Sequence, residues 1–188
     1  KHILKNKIKL SSSQIDLQKF NRVFLVAIGK SAGTMTEFVS KKINFESGIV
    51  VVPKGVVPKI DTSTFEIITS GHPLPNPNSL KSGKALIKFL NNTTKHDFVL
   101  FLISGGGSTL SVLPNSISLR DKIRVNHELI RSGANINEIA CIRKHLSLIK
   151  GGRLIQKMNC NGISFLVSDV IGDDIGSIAS GLTFYDKS

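Results

Sequence analysis

The sequence predicts an α/β fold in which a mostly parallel sheet is flanked by helices. Three features carry that expectation: short continuous apolar runs recur, they alternate with segments of helical spacing, and several stop abruptly in glycine- or serine-rich turns. Continuous apolar runs mark strands covered on both faces, and their alternation with helices implies right-handed crossovers in a parallel sheet.

In chain order, residues 22–28 (RVFLVAI) run straight into Gly29 and a helix-compatible stretch over 31–43, which reads as strand, tight turn, helix. Residues 48–52 give a second strand ending at Pro53, and residues 65–69 a third, ahead of the turn-rich 70–78. Leu80, Ala85, Leu86, Phe89 and Leu90 then fall roughly on one helical face. Residues 97–103 (DFVLFLI) are the most strand-like segment and lead directly into Ser104-Gly105-Gly106-Gly107-Ser108. Helical spacing returns over 119–132 and 135–149, and residues 162–167 (GISFLV) supply a last strand before Ser168-Asp169. Parallel sheets bind ligands at the carboxyl ends of their strands. The turns after Ile28, Ile103 and Val167 are therefore expected to share one functional edge.

With 188 residues, no internal repeat and no clear linker, one domain over 1–188 is the simplest division. The chain does not open on Met and is expected to be part of a longer protein. Its apolar runs fall far short of the ~20 residues that span a bilayer, so no membrane partner is expected. Cys141 and Cys160 form neither a CxxC pair nor a disulfide framework, which points to a reducing, cytoplasmic location. The net charge of +12 fits a solvated basic surface, attraction for phosphates, or nucleic acid. The lysines are spread without the aromatic interleaving that stacks bases, so no nucleic-acid partner is expected.

Five segments carry candidate chemistry. Three successive glycines after a buried strand let the backbone approach a ligand without a Cβ in the way, so Ser104, Gly105, Gly106, Gly107 and Ser108 read as a phosphate or carboxylate cradle, or else as a flexible turn. Lys30, at a strand-to-helix turn, can project a point cation into the same edge. Asp169 directly follows a strand and could act as base or hold Mg2+, while Asp173 or Asp174 suits a helix cap. Arg143-Lys144-His145 and Lys150-Gly151-Gly152-Arg153 gather cations near a helix end, and Arg143 and Lys150, seven apart, are expected to share a helical face. His72 lies in a proline-rich turn, either structural or touching substrate. Neither GxGxxG nor GxxxxGK[ST] is present: the first would need glycine at Leu110 and the second at Phe24.

Six stretches in order, VAIGKSAGTM (26–35), GHPLPNPNS (71–79), LISGGGSTL (102–110), LIRSGANINEI (129–139), RKHLSLIKGGRL (143–154) and SDVIGDDIGSIASG (168–181), resemble the class II glycerate kinases, the glycerate 2-kinase family, whose members also bear the name hydroxypyruvate reductase. That resemblance implies a Rossmann-like three-layer α/β/α N-terminal domain, a C-terminal domain absent from this chain, and transfer of the ATP γ-phosphate to glycerate with Mg2+, giving 2-phosphoglycerate. It implies Lys30 and Asp169 as catalytic residues, with Asp169 also a candidate metal ligand. The glycine loop Ser104–Ser108 becomes the phosphate loop, and His72, Arg143 and Lys144 lie on the substrate side. The partners implied are glycerate, the C-terminal domain and a second copy of the chain in a homodimer. Two positions depart from the family pattern: Leu182 stands where proline is usual, and Ala140 where asparagine is usual. A reductase acting on hydroxypyruvate and a non-catalytic nucleotide-binding module are the competing readings.

Overall fold

A computed structural model describes residues 2–168 and 174–186. The chain opens with an antiparallel meander, β1 (Ile3–Leu4), β2 (Lys7–Lys9) and β3 (Gln14–Asp16). There follow β4 (Val23–Ile28), α1 (Ala32–Ser40), β5 (Ser47–Pro53), β6 (Phe65–Ser70), α2 (Pro77–Asn91) and β7 (Phe98–Ser104). The last elements are a single helical turn, α3 (Gly107–Leu110), then α4 (Leu119–Arg131), α5 (Ile136–His145) and β8 (Asn161–Val167), with a 3-10 turn at Ile178–Ser180.

The five long strands form one parallel sheet in the order β6-β5-β4-β7-β8. The chain begins in the middle, winds outward to β6, and returns to the other side of β4 at β7. This is a Rossmann-like arrangement, with its switch point between β4 and β7. The register sets Ile28 beside Ile103 and Ser104 beside Val167, so the three turns expected to share an edge do lie side by side.

Alternation along the strands divides the core into two layers. Phe24, Val26 and Ile28 of β4, with Val99, Phe101 and Ile103 of β7, meet Leu86 and Leu90 of α2 and Leu154. Leu25, Ala27, Leu100 and Leu102 point the other way, against Ala32 and Val39 of α1 and Ile8 of the meander. All six residues of β4 and all seven of β7 are buried. Each buried Leu, Ile or Phe contributes roughly 1.5–3 kcal/mol relative to exposure, so these strands anchor the domain. The meander, for which the sequence carries no strand expectation, caps the α1 layer: Ile8 and Leu17 are inside it, and the Asn6 amide donates to the Lys42 carbonyl at 2.8 Å.

Local chemistry fixes the helix starts. Asn76 accepts from the Ser79 amide while the Ser79 hydroxyl accepts from the Asn76 amide, a capping box with Pro77 at the first helical position of α2. Ser118 caps α4 by accepting from the Asp121 amide at 3.0 Å. α4 buries none of its side chains, and β8 is only partly covered. On the α1 side of β8 an open apolar trough exposes Leu4, Phe38 and Val167.

The helix expected over 135–149 ends at His145. Ser147 is drawn into a bridge with Pro114, and Gly151 and Gly152 turn the chain through left-handed backbone (φ 60° and 79°). Arg143 and Lys150 therefore do not share a helical face, contrary to their spacing. They converge by another route, through the fold of the loop.

Candidate active site

The turns after β4 and β7 are laced together. The Lys30 amide donates to the Gly105 carbonyl at 2.9 Å, and the Ser31 amide donates to the Ser104 hydroxyl oxygen at 3.0 Å. Gly29 is required for this closeness: at φ 135°, a Cβ there would lie 2.1 Å from Ser104 Oγ and 2.6 Å from its carbonyl oxygen. Ser104 thus serves as a latch between the two turns, and its position in the glycine loop is structural as well as adjacent to the edge.

Gly106 is the meeting point of three expected site residues. It has φ 86°, and a Cβ on it would come within 2.6 Å of the His72 ring and 3.4 Å of Lys30 Cγ. Lys30, His72 and the glycine loop are therefore brought together at the switch point, with Lys30 exposed to the cleft and His72 half-buried. The Thr109 and Leu110 amides turn back to the Gly106 carbonyl as α3 begins.

Behind the glycine loop stands the Ile178–Ser180 turn. Ala179 and Ser180 both adopt positive φ (51° and 59°), a costly conformation for residues with a Cβ that persists only when the surroundings impose it. A Cβ on Gly107 would meet the Ala179 Cβ at 2.7 Å, and the Ser108 and Ser180 hydroxyls are 2.8 Å apart. Lys150 ties the two turns together, its ammonium donating to the Gly107 carbonyl at 3.0 Å and the Ala179 carbonyl at 3.2 Å. Lys150 is 2% exposed. Burial, and then the charges of Lys122 and Arg143, push its pKa well below the ordinary lysine range.

A cavity of about 70 Å³ opens beside this junction, reaching from Pro73 and Leu74 next to His72, past Ser108 and Ser180, to Lys122, Arg143 and Lys150. Arg143 Nε donates to the Asn126 side-chain oxygen across α4 and α5, and burial lowers its pKa. Lys144 faces elsewhere: it pairs with Asp186 at 3.0 Å, both side chains being largely buried. Asp174 accepts from the Gly176 amide and the Ser177 hydroxyl within a turn, and is not the helix cap its spacing suggested. Asp169 and Asp173 lie outside the described residues.

The structure thus gathers Lys30, His72, Gly106, Gly107, Ser108 and Arg143 around one edge, and turns Lys144 into an internal ion pair. Sequence reasoning did not single out Lys122, Asn126 or Ser180. Lys122 is one of three cations in Arg120-Asp121-Lys122-Ile123-Arg124, and nothing in that run distinguishes the one that faces the cavity from its solvent-facing neighbours.

Together the fold and site define a Rossmann-like α/β domain with a cationic cleft at its switch point. The chain belongs to the family described as a domain of unknown function, DUF4147, whose model matches residues 1–188. It is 37% identical to a glycerate 2-kinase of Pyrococcus horikoshii over 97% of this chain and 42% of that protein. A solved structure of a Pyrococcus horikoshii OT3 protein superposes with a TM-score of 0.90 at 35% identity, covering 98% of this chain and 42% of that one. The crystal structure of glycerate kinase from Thermotoga maritima gives a TM-score of 0.81 at 38% identity, covering 91% and 42%. These findings bear out the family resemblance and the α/β fold class drawn from the sequence. The chain spans about 42% of the length of the relatives it matches.

Proposed function

We propose that this chain is the N-terminal domain of an ATP-dependent glycerate kinase, which transfers the γ-phosphate to D-glycerate to give 2-phosphoglycerate, its cleft completed by a C-terminal domain. The observation that carries the reading is the packing of Lys30 and His72 against Gly106 at the switch point. Phosphoryl transfer asks a protein for positioning and charge stabilisation more than for covalent chemistry. A lysine cation beside a backbone that no Cβ shields supplies both. The relatives' names and their greater length support the substrate and the second domain.

The geometry, together with the family resemblance, supports a division of labour. Gly106, Gly107 and Ser108 present backbone and a hydroxyl to an incoming phosphoryl group, and Lys30 offsets the negative charge that develops on it. His72 and Arg143 flank the acceptor side. Asp169 is assigned the orientation or deprotonation of the acceptor hydroxyl, from its place in the sequence after β8. ATP, when bound, supplies the phosphoryl group. Asp169, the candidate ligand for Mg2+, lies outside the described residues, and no step is assigned to a protein-held metal. Magnesium would enter with the phosphates it ordinarily accompanies.

The test is a coupled ADP-release assay on the full-length protein with D-glycerate, ATP and Mg2+, with product position read by phosphorus NMR. ADP release dependent on glycerate, with phosphate on the 2-hydroxyl, is the expected result. Consumption of NADH with hydroxypyruvate and no ADP release would replace the kinase by a reductase.

A further inference from the structure

The cavity beside the glycine loop has a lopsided charge. Lys122, Arg143 and Lys150 line it, and no acidic side chain does among the described residues. The Lys122 ammonium has neither a hydrogen bond nor an ion pair to a described residue, although the side chain is half-buried. An ammonium has three donors. Lys150 uses two on the Gly107 and Ala179 carbonyls, which leaves one for the cavity. Ser108, at the foot of the glycine loop, lines the same space.

Three converging cations without a counter-charge repel one another and forgo hydration, a costly arrangement in a folded protein unless an anion completes it. That cost shows in the depressed proton affinity of Lys122 and Lys150, through burial first and their cationic neighbours second. Size restricts the occupant. The cavity is compact, about 70 Å³, with its cations gathered on one side, which suits the anionic end of a small molecule. The apolar side walls, Leu74 and Ile123, suit a short carbon chain.

We propose that Lys122, Arg143 and Lys150 form an oxyanion pocket that takes the carboxylate of the small hydroxy acid acceptor, and that Lys122 is a binding residue which selects acids over neutral polyols. The inference rests on the kinase reading for the identity of the acceptor, and the pocket can be tested apart from it. The carboxylate sits among the three cations, and the hydroxyl end points past Ser108 toward the glycine loop and Lys30.

The experiment compares full-length wild type with Lys122→Met by calorimetric titration with malonate, a carboxylate probe that cannot be phosphorylated, and by steady-state kinetics with D-glycerate. Lys122→Met is preferred to a Lys150 variant because Lys122 supports no other described residue. Loss of one charge-assisted hydrogen bond is expected to weaken malonate binding and raise the glycerate KM by about 10- to 100-fold. The wild-type kcat and ATP affinity should be kept within about threefold. Unchanged malonate affinity and unchanged KM in Lys122→Met would overturn the pocket and leave the kinase reading intact. Malonate binding that depends on Lys122, in a protein that does not phosphorylate glycerate, would uphold the pocket and sink the kinase reading.

Discussion

The two walls of the cleft are built on different principles. One is backbone: the turns after β4 and β7, laced by two hydrogen bonds and set on strands with every residue buried. The other is side chain: cations on α4, on α5 and in the loop after it, with α4 burying nothing of its own. The first wall cannot change without disturbing the core. In the second, the α4 cation can change charge or position at little cost to the fold, whereas Lys150 is held by the Gly107 and Ala179 carbonyls. Binding elements are commonly drawn from such lightly anchored parts.

The comparison can be broken most directly at Lys30, which belongs to the first wall yet is exposed. Lys30→Met is expected to lower glycerate phosphorylation by about 10²- to 10³-fold, with a melting temperature within a few degrees of wild type. Kinetics and a thermal melt on the same sample decide it. Next is Gly29→Ala, where the added Cβ would have to displace Ser104. A destabilisation of about 3 kcal/mol or more is expected in urea unfolding, and less than 1 kcal/mol would show that the latch between the turns is slack.

Asp97, which precedes β7, ties the base of the same strand to Arg22 at 2.7 Å and to the Thr94 amide and hydroxyl. The Arg22 hydrogen bond holds its pKa down at about 2, outweighing the opposing effect of burial, with the Thr94 bonds adding to the depression. A lowered folded-state value means that the stabilisation is present above the ordinary carboxylate range. It should be lost as pH falls from about 4 through about 2. Asp97→Asn should remove about 2 kcal/mol at pH 7 and flatten the stability profile over that window, measured by chemical denaturation at stepped pH. Smallest is Ile130→Ala on α4, where the side chain is 59% exposed: a change within about 0.5 kcal/mol is expected, and a larger loss would mean that α4 is anchored more firmly than its burial implies.

The same contrast explains what the sequence disclosed. Strands buried on both faces write continuous apolar runs, so β4, β5 and β7 were legible to within a residue or two, as was the glycine turn that follows β7; the edge strands β6 and β8, partly exposed, were still marked by short apolar runs bounded by turns. The meander was not, because its strands of two and three residues are too short to display a period. Lys30 and Gly106 could be read because they sit at strand ends, where the topology fixes their location. The cations of the second wall reach the cavity through α4 and a looped segment. Their convergence depends on tertiary packing, as the failure of the Arg143–Lys150 helical spacing shows.

The pairing of β4 with β7 has a consequence for how the chain is made. Val23 lies against Phe98, seventy-five residues later. At synthesis rates of roughly 5–20 residues per second, β4 leaves the ribosome about 4–15 s before its neighbour exists. During that interval β4 can pair on one side only, with β5. The nascent chain therefore passes through a stage in which one edge of its most apolar strand is open, and the arrival of β7 both closes the sheet and brings Gly106 to Lys30.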